Sequence, residues 1–268
     1  MNGPVDFSEA GSSFFDLLRE REPSLLPQFA VETSERREGM PQVPVGTTVL
    51  ALRYRGGVVI AGDRQATEGY QVAARRIEKV YAADEHSAIA IAGAAGPCIE
   101  MARLFQTELA HYEKIEGMGL SLEGKANKLA QMIRANLPLA MQGLIVIPIF
   151  VGYDVRRDEG RIYKYDLAGG RYEEADYHAI GSGGKDARAT MKKLYRPGMA
   201  EADASALAVE ALYDAAEEDT GTGGPDFVRR IFPSVKLVTR EGLQDIPEER
   251  VASLCEAIMT ARKSAREG

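Results

Sequence analysis

Apolar and polar residues change their spacing at residue 47, and from there they predict a dense series of strands and helices. Short apolar segments separated by turn signals predict strands over 47–54, 57–63, 77–82, 87–92, 144–153, 160–166, 176–181 and 231–239. Apolar residues at helical spacing predict helices over 95–115, 122–142, 184–195, 201–217 and 246–264. Because runs of strands are interrupted by pairs of helices, we expect an α+β domain in which two antiparallel sheets pack together, with helices outside.

Residues 1–46 differ in composition from the rest of the chain. They contain eight acidic and four basic residues, which account for -4 of the formal net charge of -7. A short amphipathic pattern predicts a helix over 13–19, with Ser12 or Ser13 as its N-cap. The polar stretch 32–40 is typical of an extended or disordered chain. Composition alone therefore favours a flexible tail.

The overall composition narrows the range of partners and locations. The chain has 268 residues and is acidic, and it has no basic block, so we expect neither nucleic acid nor an acidic membrane surface as its partner. Its longest apolar run, 144–151, contains Pro148 and is far shorter than the roughly 20 residues of a membrane span. We expect a cytoplasmic protein without a secretory signal, with Cys98 and Cys255 as buried thiols. No spacing typical of a metal site occurs, and no cofactor is expected.

Gly46-Thr47-Thr48 stands at the boundary between the two parts of the chain. A threonine at the start of a strand is ordinarily structural, because β-branched residues favour strands. If the chain is cut before Thr47, that residue gains an α-amino group with a reference pKa of about 8 beside its hydroxyl. It then carries a nucleophile and a base together. Gly46 permits a strained turn that exposes its own carbonyl to the Thr47 hydroxyl.

Asp63 and Lys79 are the next candidates. Asp63 ends the second predicted strand, and Ile77, Lys79 and Tyr81 would share one face of the third. Burial on such a face lowers the pKa of a lysine, and a nearby Asp63 would counter that shift and hold the ammonium. A positive charge close to Thr47 would lower the pKa of its hydroxyl and of its amine. The alternative is a surface lysine with a partly buried stem.

Two glycine-rich clusters follow, at 181–185 and 219–226. The first ends a strand and opens a helix, as a phosphate-binding loop does. A Walker loop needs Gly at 179 and Ser or Thr at 186, where this chain has Ala179 and Asp186. A plain turn is the alternative interpretation of both clusters.

Taken together, these residues resemble the β-type subunits of the proteasome core particle, which are N-terminal-nucleophile (Ntn) hydrolases, and especially the actinobacterial form with a long propeptide. The resemblance covers essentially all of 47–268, and the order and spacing of its motifs are specific although each motif alone is weak. It implies a four-layer αββα Ntn-hydrolase sandwich for 47–268 and a propeptide, 1–46, that is removed by autocatalytic cleavage. The motifs are Gly46-Thr47-Thr48, Gly62-Asp63-Arg64, Lys79, Ala92-Gly93, Gly181-Ser182-Gly183, 219–224 and Ile231-Phe232.

The resemblance also implies catalytic roles. Thr47 would be the nucleophile, freed by cleavage after Gly46, and Asp63 and Lys79 would tune it. The backbone N–H of Gly93 would stabilise the tetrahedral oxyanion. Ser182, Asp219 and Thr222 would form a hydrogen-bond network around the Thr47 amine. The family commonly has Ser where this chain has Thr222, and Thr222 retains the hydroxyl.

Alignment to the family without gaps after Thr47 implies a pocket for the residue that precedes the cleaved bond, the S1 pocket. The five residues expected to line it are apolar except for the Tyr81 hydroxyl, and none of the five is acidic or basic, so we expect chymotrypsin-like cleavage after hydrophobic residues. The lining residues would be Ala66, Ile77, Tyr81, Ile91 and Ala95.

The partners are implied by the resemblance alone. A β subunit of this family lies in a seven-membered ring, within four stacked rings of α and β subunits. An ATP-dependent unfoldase ring and substrates carrying a small Pup-like protein tag are implied as well. We expect helices 95–115 and 122–142 to contact neighbouring subunits. Phe14, Phe15, Leu17 and Leu18 of the propeptide would assist assembly.

Three alternatives remain at this point. An asparaginase-type amidase also frees a threonine, but it cuts its chain near the middle. A peptidase of the HslV type usually lacks so long a propeptide. A non-catalytic ring subunit usually loses the threonine, the lysine or the cleavable glycine, and this chain retains all three.

Overall fold

A computed structural model describes residues 46–68 and 71–267, which belong to one unit, Gln42–Gly268. The predicted helix over 13–19 and the other predictions for 1–45 lie outside these residues. The strands are β1 Thr48–Tyr54, β2 Gly57–Gly62, β3 Ala66–Glu68, β4 Gln71–Ala74, β5 Val80–Asp84, β6 Ser87–Gly93, β7 Val146–Asp154, β8 Glu159–Tyr165, β9 Arg171–Glu174, β10 Tyr177–Gly181, β11 Ser234–Thr239 and β12 Gly242–Asp245. The helices are α1 Ala95–Glu116, α2 Leu122–Ala135, α3 Leu137–Ala140, α4 Gly184–Leu194, α5 Glu201–Glu218 and α6 Glu248–Glu267.

Two five-stranded antiparallel sheets form the centre of the fold. The strand order is β10-β1-β2-β11-β12 in the first sheet and β5-β6-β7-β8-β9 in the second. β3 and β4 form a separate two-stranded ladder. Val49, Ala51 and Ile60 of the first sheet pack against Ala90 and Ile149 of the second, so the two sheets lie face to face.

Helices cover the outer face of each sheet. Leu50 and Leu52, which point away from the second sheet, pack with Met191 of α4 and Leu212 of α5. On the other side, Phe150 packs edge-to-face on Phe105 of α1, with ring centroids 5.6 Å apart. Because side chains alternate between the two faces of a strand, each sheet contributes residues to two apolar layers, one between the sheets and one beneath the helices. The predicted pair of sheets with helices outside is confirmed.

Four predicted boundaries are wrong by three or more residues, and one of them is the end of the last helix, predicted at 264 and found at Glu267. The helix predicted over 122–142 ends at Ala135, because Pro138 lacks an N–H and fits only the first turn of the separate helix α3. The strand predicted over 77–82 begins at Val80, because the N–H of Ile77 donates to Arg64 O instead of to a neighbouring strand. The strand predicted over 231–239 begins at Ser234, and Ile231 forms an isolated bridge with Asp226. The short strands β3, β4, β9 and β12 were not predicted.

Within 46–68 and 71–267, no helix is both long and apolar enough to cross a bilayer. Cys98 and Cys255 are buried and unpaired, as predicted.

Candidate functional site

Thr47 lies immediately before β1, at the end of the first sheet where Asp63 and Lys79 converge. Its Oγ1 lies 2.6 Å from the carbonyl oxygen of Gly46, the residue before it. Lys79 Nζ donates to the same Gly46 oxygen at 3.2 Å and to Asp63 Oδ1 at 2.6 Å. A hydroxyl, an ammonium group and a backbone carbonyl therefore meet within hydrogen-bond distance.

The Asp63–Lys79 pair is buried. Asp63 is 0% exposed and Lys79 is 5% exposed. Three backbone N–H groups donate to the Asp63 carboxylate, from Thr48 at 2.8 Å and from Gln65 and Gly223 at 2.9 Å. Burial lowers the pKa of Lys79 below 10.5, and the Asp63 charge opposes that shift. Burial and pairing therefore act on the Lys79 pKa in opposite directions, and the three N–H donors hold the Asp63 carboxylate in place.

Ser182, Asp219 and Thr222 form a second cluster beside Thr47. Asp219, at the C-terminal end of α5, accepts hydrogen bonds at its Oδ2 from the hydroxyls of Ser182 and Thr222, both at 2.5 Å. The N–H of Thr47 donates to Ser182 Oγ at 3.4 Å, and the N–H of Ser182 donates to Thr47 O at 2.9 Å. The two glycine-rich clusters of the sequence thus meet around the nitrogen of Thr47.

The loop from Asp219 to Gly224 approaches Gly46 very closely. A Cβ added to Gly46 would lie 2.1 Å from Thr67 Oγ1 and 2.7 Å from Gly221 O. A Cβ added to Gly221 would lie 2.8 Å from Ser182 Oγ and 3.0 Å from Gly46 Cα. Glycine at both positions is required because the backbones pass each other without room for a side chain.

A cavity opens next to Thr47, and all five residues predicted for the S1 pocket line it. Gly93 and Lys79 line it too. Gly93 has a φ of +137°, and a Cβ added to it would collide with the carbonyl oxygen of Ile145. The sequence prediction missed Glu78, Cys98 and Ile99, which also line this cavity, and Glu78 adds an acidic side chain to the lining. Burial raises the pKa of the Cys98 thiol to about 12, so it is a neutral side chain there. The five predicted residues are Ala66, Ile77, Tyr81, Ile91 and Ala95.

Comparison with known proteins identifies the family. A family model described as "Proteasome subunit" matches residues 43–228. The chain belongs to the proteasome subunit family. It is 63% identical to a proteasome subunit beta of Acidimicrobium ferrooxidans over 80% of this chain and 78% of that one. It is 50% identical to a proteasome subunit beta 2 of Thermomonospora curvata and 49% identical to a proteasome subunit beta of Streptomyces griseus. Each of those two alignments covers 99% of this chain and 94% of the relative.

Membership of this family accounts for the architecture. The two antiparallel sheets between helical layers agree with the αββα Ntn-hydrolase sandwich that the resemblance implied. The similar relatives are β subunits from actinobacteria, as the motifs also indicated. The proteasome β family is one of threonine proteases, and it implies assembly with α and β subunits in a core particle.

Proposed function

We propose that this chain is a catalytic β subunit of the proteasome core particle, a threonine endopeptidase with Thr47 as its nucleophile. The observation that carries the proposal is the contact of Gly46 O with both the Thr47 hydroxyl and the Lys79 ammonium, which Asp63 holds. A non-catalytic ring subunit has no need for this buried charged pair, which costs desolvation energy.

The same contacts support processing after Gly46. The Thr47 hydroxyl would add to the Gly46 carbonyl carbon, forming a C–O bond, while Lys79 stabilises the negative charge on the carbonyl oxygen. The Gly46–Thr47 C–N bond then breaks as the nitrogen takes up the proton released by the hydroxyl, which leaves an ester, and water hydrolyses that ester. The products are a Gly46 carboxylate and a free amine on Thr47. The chain would then divide into a propeptide, 1–46, and a mature domain, 47–268.

In the mature subunit, the new amine would act as the base. It would take the Thr47 hydroxyl proton while that oxygen attacks a substrate carbonyl. Asp63 and Lys79 would keep a positive charge near this oxygen, and the Gly93 N–H would bind the oxyanion. The amine would stay in the place now occupied by the Thr47 amide nitrogen, beside Ser182 Oγ. Asp219 and Thr222 would orient that serine.

Gly46→Ala is expected to slow processing at least about 10-fold. The added Cβ collides with Thr67 Oγ1 and with Gly221 O, so the scissile carbonyl moves away from Thr47 and Lys79. The fraction of chain that begins at Thr47, followed by mass spectrometry during assembly with α subunits, measures this. Gly96→Ala is the matched control, because a Cβ at Gly96 has nothing within 4 Å. Equal processing of both variants would contradict the predicted role of Gly46.

Peptide hydrolysis tests both the activity and its specificity. The assembled particle is expected to cleave fluorogenic peptides fastest when Leu precedes the cleaved bond, at least about 10-fold faster than with Arg or Glu. The charged groups of the lining, the Glu78 carboxylate and the Lys79 ammonium, are already bonded to Ser234 and Asp63, and burying an unpaired charge is costly. The panel uses peptides that differ only at that residue. Absence of any hydrolysis would overturn the proposed activity. A preference for Arg would overturn only the proposed pocket.

The remaining partners are proposals from the family. The chain would lie in heptameric β rings stacked against α rings, within a gated chamber that admits unfolded proteins. An ATP-dependent unfoldase and Pup-like tags would select substrates in the cytoplasm.

A further inference from the structure

Thr48 contacts both halves of the candidate site, the Asp63–Lys79 pair through its backbone and the cluster of Ser182, Asp219 and Thr222 through its side chain. Its side chain is 0% exposed. Its Oγ1 accepts the N–H of Gly183 at 3.0 Å and lies 2.7 Å from Thr222 Oγ1. The sequence predicts no function for Thr48 beyond its place in the Gly46-Thr47-Thr48 motif, because a threonine in a strand is ordinarily structural.

The direction of the Thr48–Thr222 hydrogen bond follows from counting protons. A hydroxyl has one proton to donate. Thr222 donates its proton to Asp219 Oδ2 at 2.5 Å. Thr48 must therefore donate to Thr222 Oγ1. The result is a continuous chain of donors, from the Gly183 N–H through the hydroxyls of Thr48 and Thr222 to the Asp219 carboxylate.

The backbone of Thr48 belongs to the other half of the site. Its N–H donates to Asp63 Oδ1 at 2.8 Å, the same oxygen that accepts Lys79 Nζ at 2.6 Å. Its carbonyl accepts the N–H of Asp63 at 3.0 Å. A movement of Thr48 would therefore shift the Asp63–Lys79 pair as well as the hydroxyls bound to Asp219.

We propose that the Thr48 hydroxyl is a positioning group. It fixes the cluster of Ser182, Asp219 and Thr222 relative to the Asp63–Lys79 pair, so that both stay aligned with Thr47. The inference rests on the proposed peptidase function and deepens it. Thr48 does not touch the reacting atoms. Without its hydroxyl, the buried Gly183 N–H loses its acceptor, and Thr222 loses the donor that fixes its rotamer toward Asp219. Ser182, which shares Asp219 Oδ2 with Thr222, then loses its fixed orientation toward the Thr47 nitrogen.

The test compares Thr48→Val, Thr48→Ser and Thr190→Val in the core particle assembled with α subunits. Valine keeps the β-branched shape and removes the hydroxyl, whereas serine keeps the hydroxyl. We expect Thr48→Val to lower kcat per processed subunit about 10- to 100-fold, with KM within about 2-fold of wild type. Thr48→Ser is expected to retain kcat within about 3-fold. Thr190→Val is the matched control, because Thr190 is also buried and donates to a carboxylate, that of Asp214, away from the site.

A coupling measurement separates a positioning role from a general loss of stability. If Thr48 acts through Thr222, the Thr48→Val/Thr222→Val double variant should lose little more kcat than the worse single variant. Should Thr48→Val not assemble, Thr48→Cys keeps a small side chain with only a weak donor, and it is compared with Thr48→Ser instead. Wild-type kcat in Thr48→Val or Thr48→Cys, or an equal loss in Thr190→Val, would overturn the inference. The proposed peptidase function would stand in those cases, because it is tested by wild-type hydrolysis and its loss in Thr47→Ala.

Discussion

Thr47→Ala is expected to abolish peptide hydrolysis and to leave the chain uncut at Gly46. The substitution removes the hydroxyl that lies 2.6 Å from Gly46 O, and with it both the processing nucleophile and the substrate nucleophile. We expect hydrolysis to fall by about 10⁴-fold or more, to background. Mass spectrometry of the particle purified with its α subunits should find the intact chain in the variant and a chain that begins at Thr47 in wild type.

One conservative substitution and the buried position of Thr48 make the Thr47 result specific. Thr47→Ser keeps an alcohol and should process and cleave, though more slowly, because serine lacks the methyl group that restricts χ1. The adjacent Thr48 hydroxyl cannot replace that of Thr47, because it is fully buried between Gly183 N and Thr222 Oγ1. A Thr47→Ala particle that digests peptides as wild type does would refute the nucleophile and, with it, the proposed function.

The main elements of the fold could be predicted because they depend on local patterns. The apolar strands β1, β2 and β6 and the amphipathic helices α1 and α5 appear within about one residue of their predicted bounds. The segment before β5 could not be predicted, because the bond from Ile77 N to Arg64 O depends on how two distant segments pack. Lys79 therefore precedes the strand instead of lying within it, yet it still lines the cavity.

The residues of the candidate site could likewise be predicted only in part. A chemical rationale singled out Thr47, Asp63 and Lys79, and the structure brings them together. The role of Gly221 could not be seen in the sequence, because it depends on the approach of that loop to Gly46 from 175 positions away in the chain (221 − 46). Cys98 was predicted to be buried, but only the packing of α1 beside β6 places it in the cavity.

Lys79→Met is expected to lower peptide hydrolysis about 10³-fold and to prevent most processing. Methionine is similar in length but carries no charge, so the Thr47 oxygen and the Gly46 carbonyl lose the ammonium group that contacts Gly46 O at 3.2 Å. Fluorogenic peptide assays measure the loss, and the fraction of chain that begins at Thr47 measures processing.

Stability measurements separate this chemical effect from damage to the fold. Removing one partner of a buried ion pair ordinarily costs about 3–5 kcal/mol, because the other charge is left unpaired. Asp63 retains three backbone N–H donors, so we expect the particle to assemble with a lower thermal midpoint. The Lys79→Met/Asp63→Asn double variant removes the unpaired charge but places an amide NH2 where an oxygen now accepts backbone N–H groups, so we expect it to recover little of that midpoint and to remain inactive. Recovery of activity together with stability would show that the pair serves the fold and not the chemistry, since only a charged lysine can stabilise an anionic oxygen at Thr47.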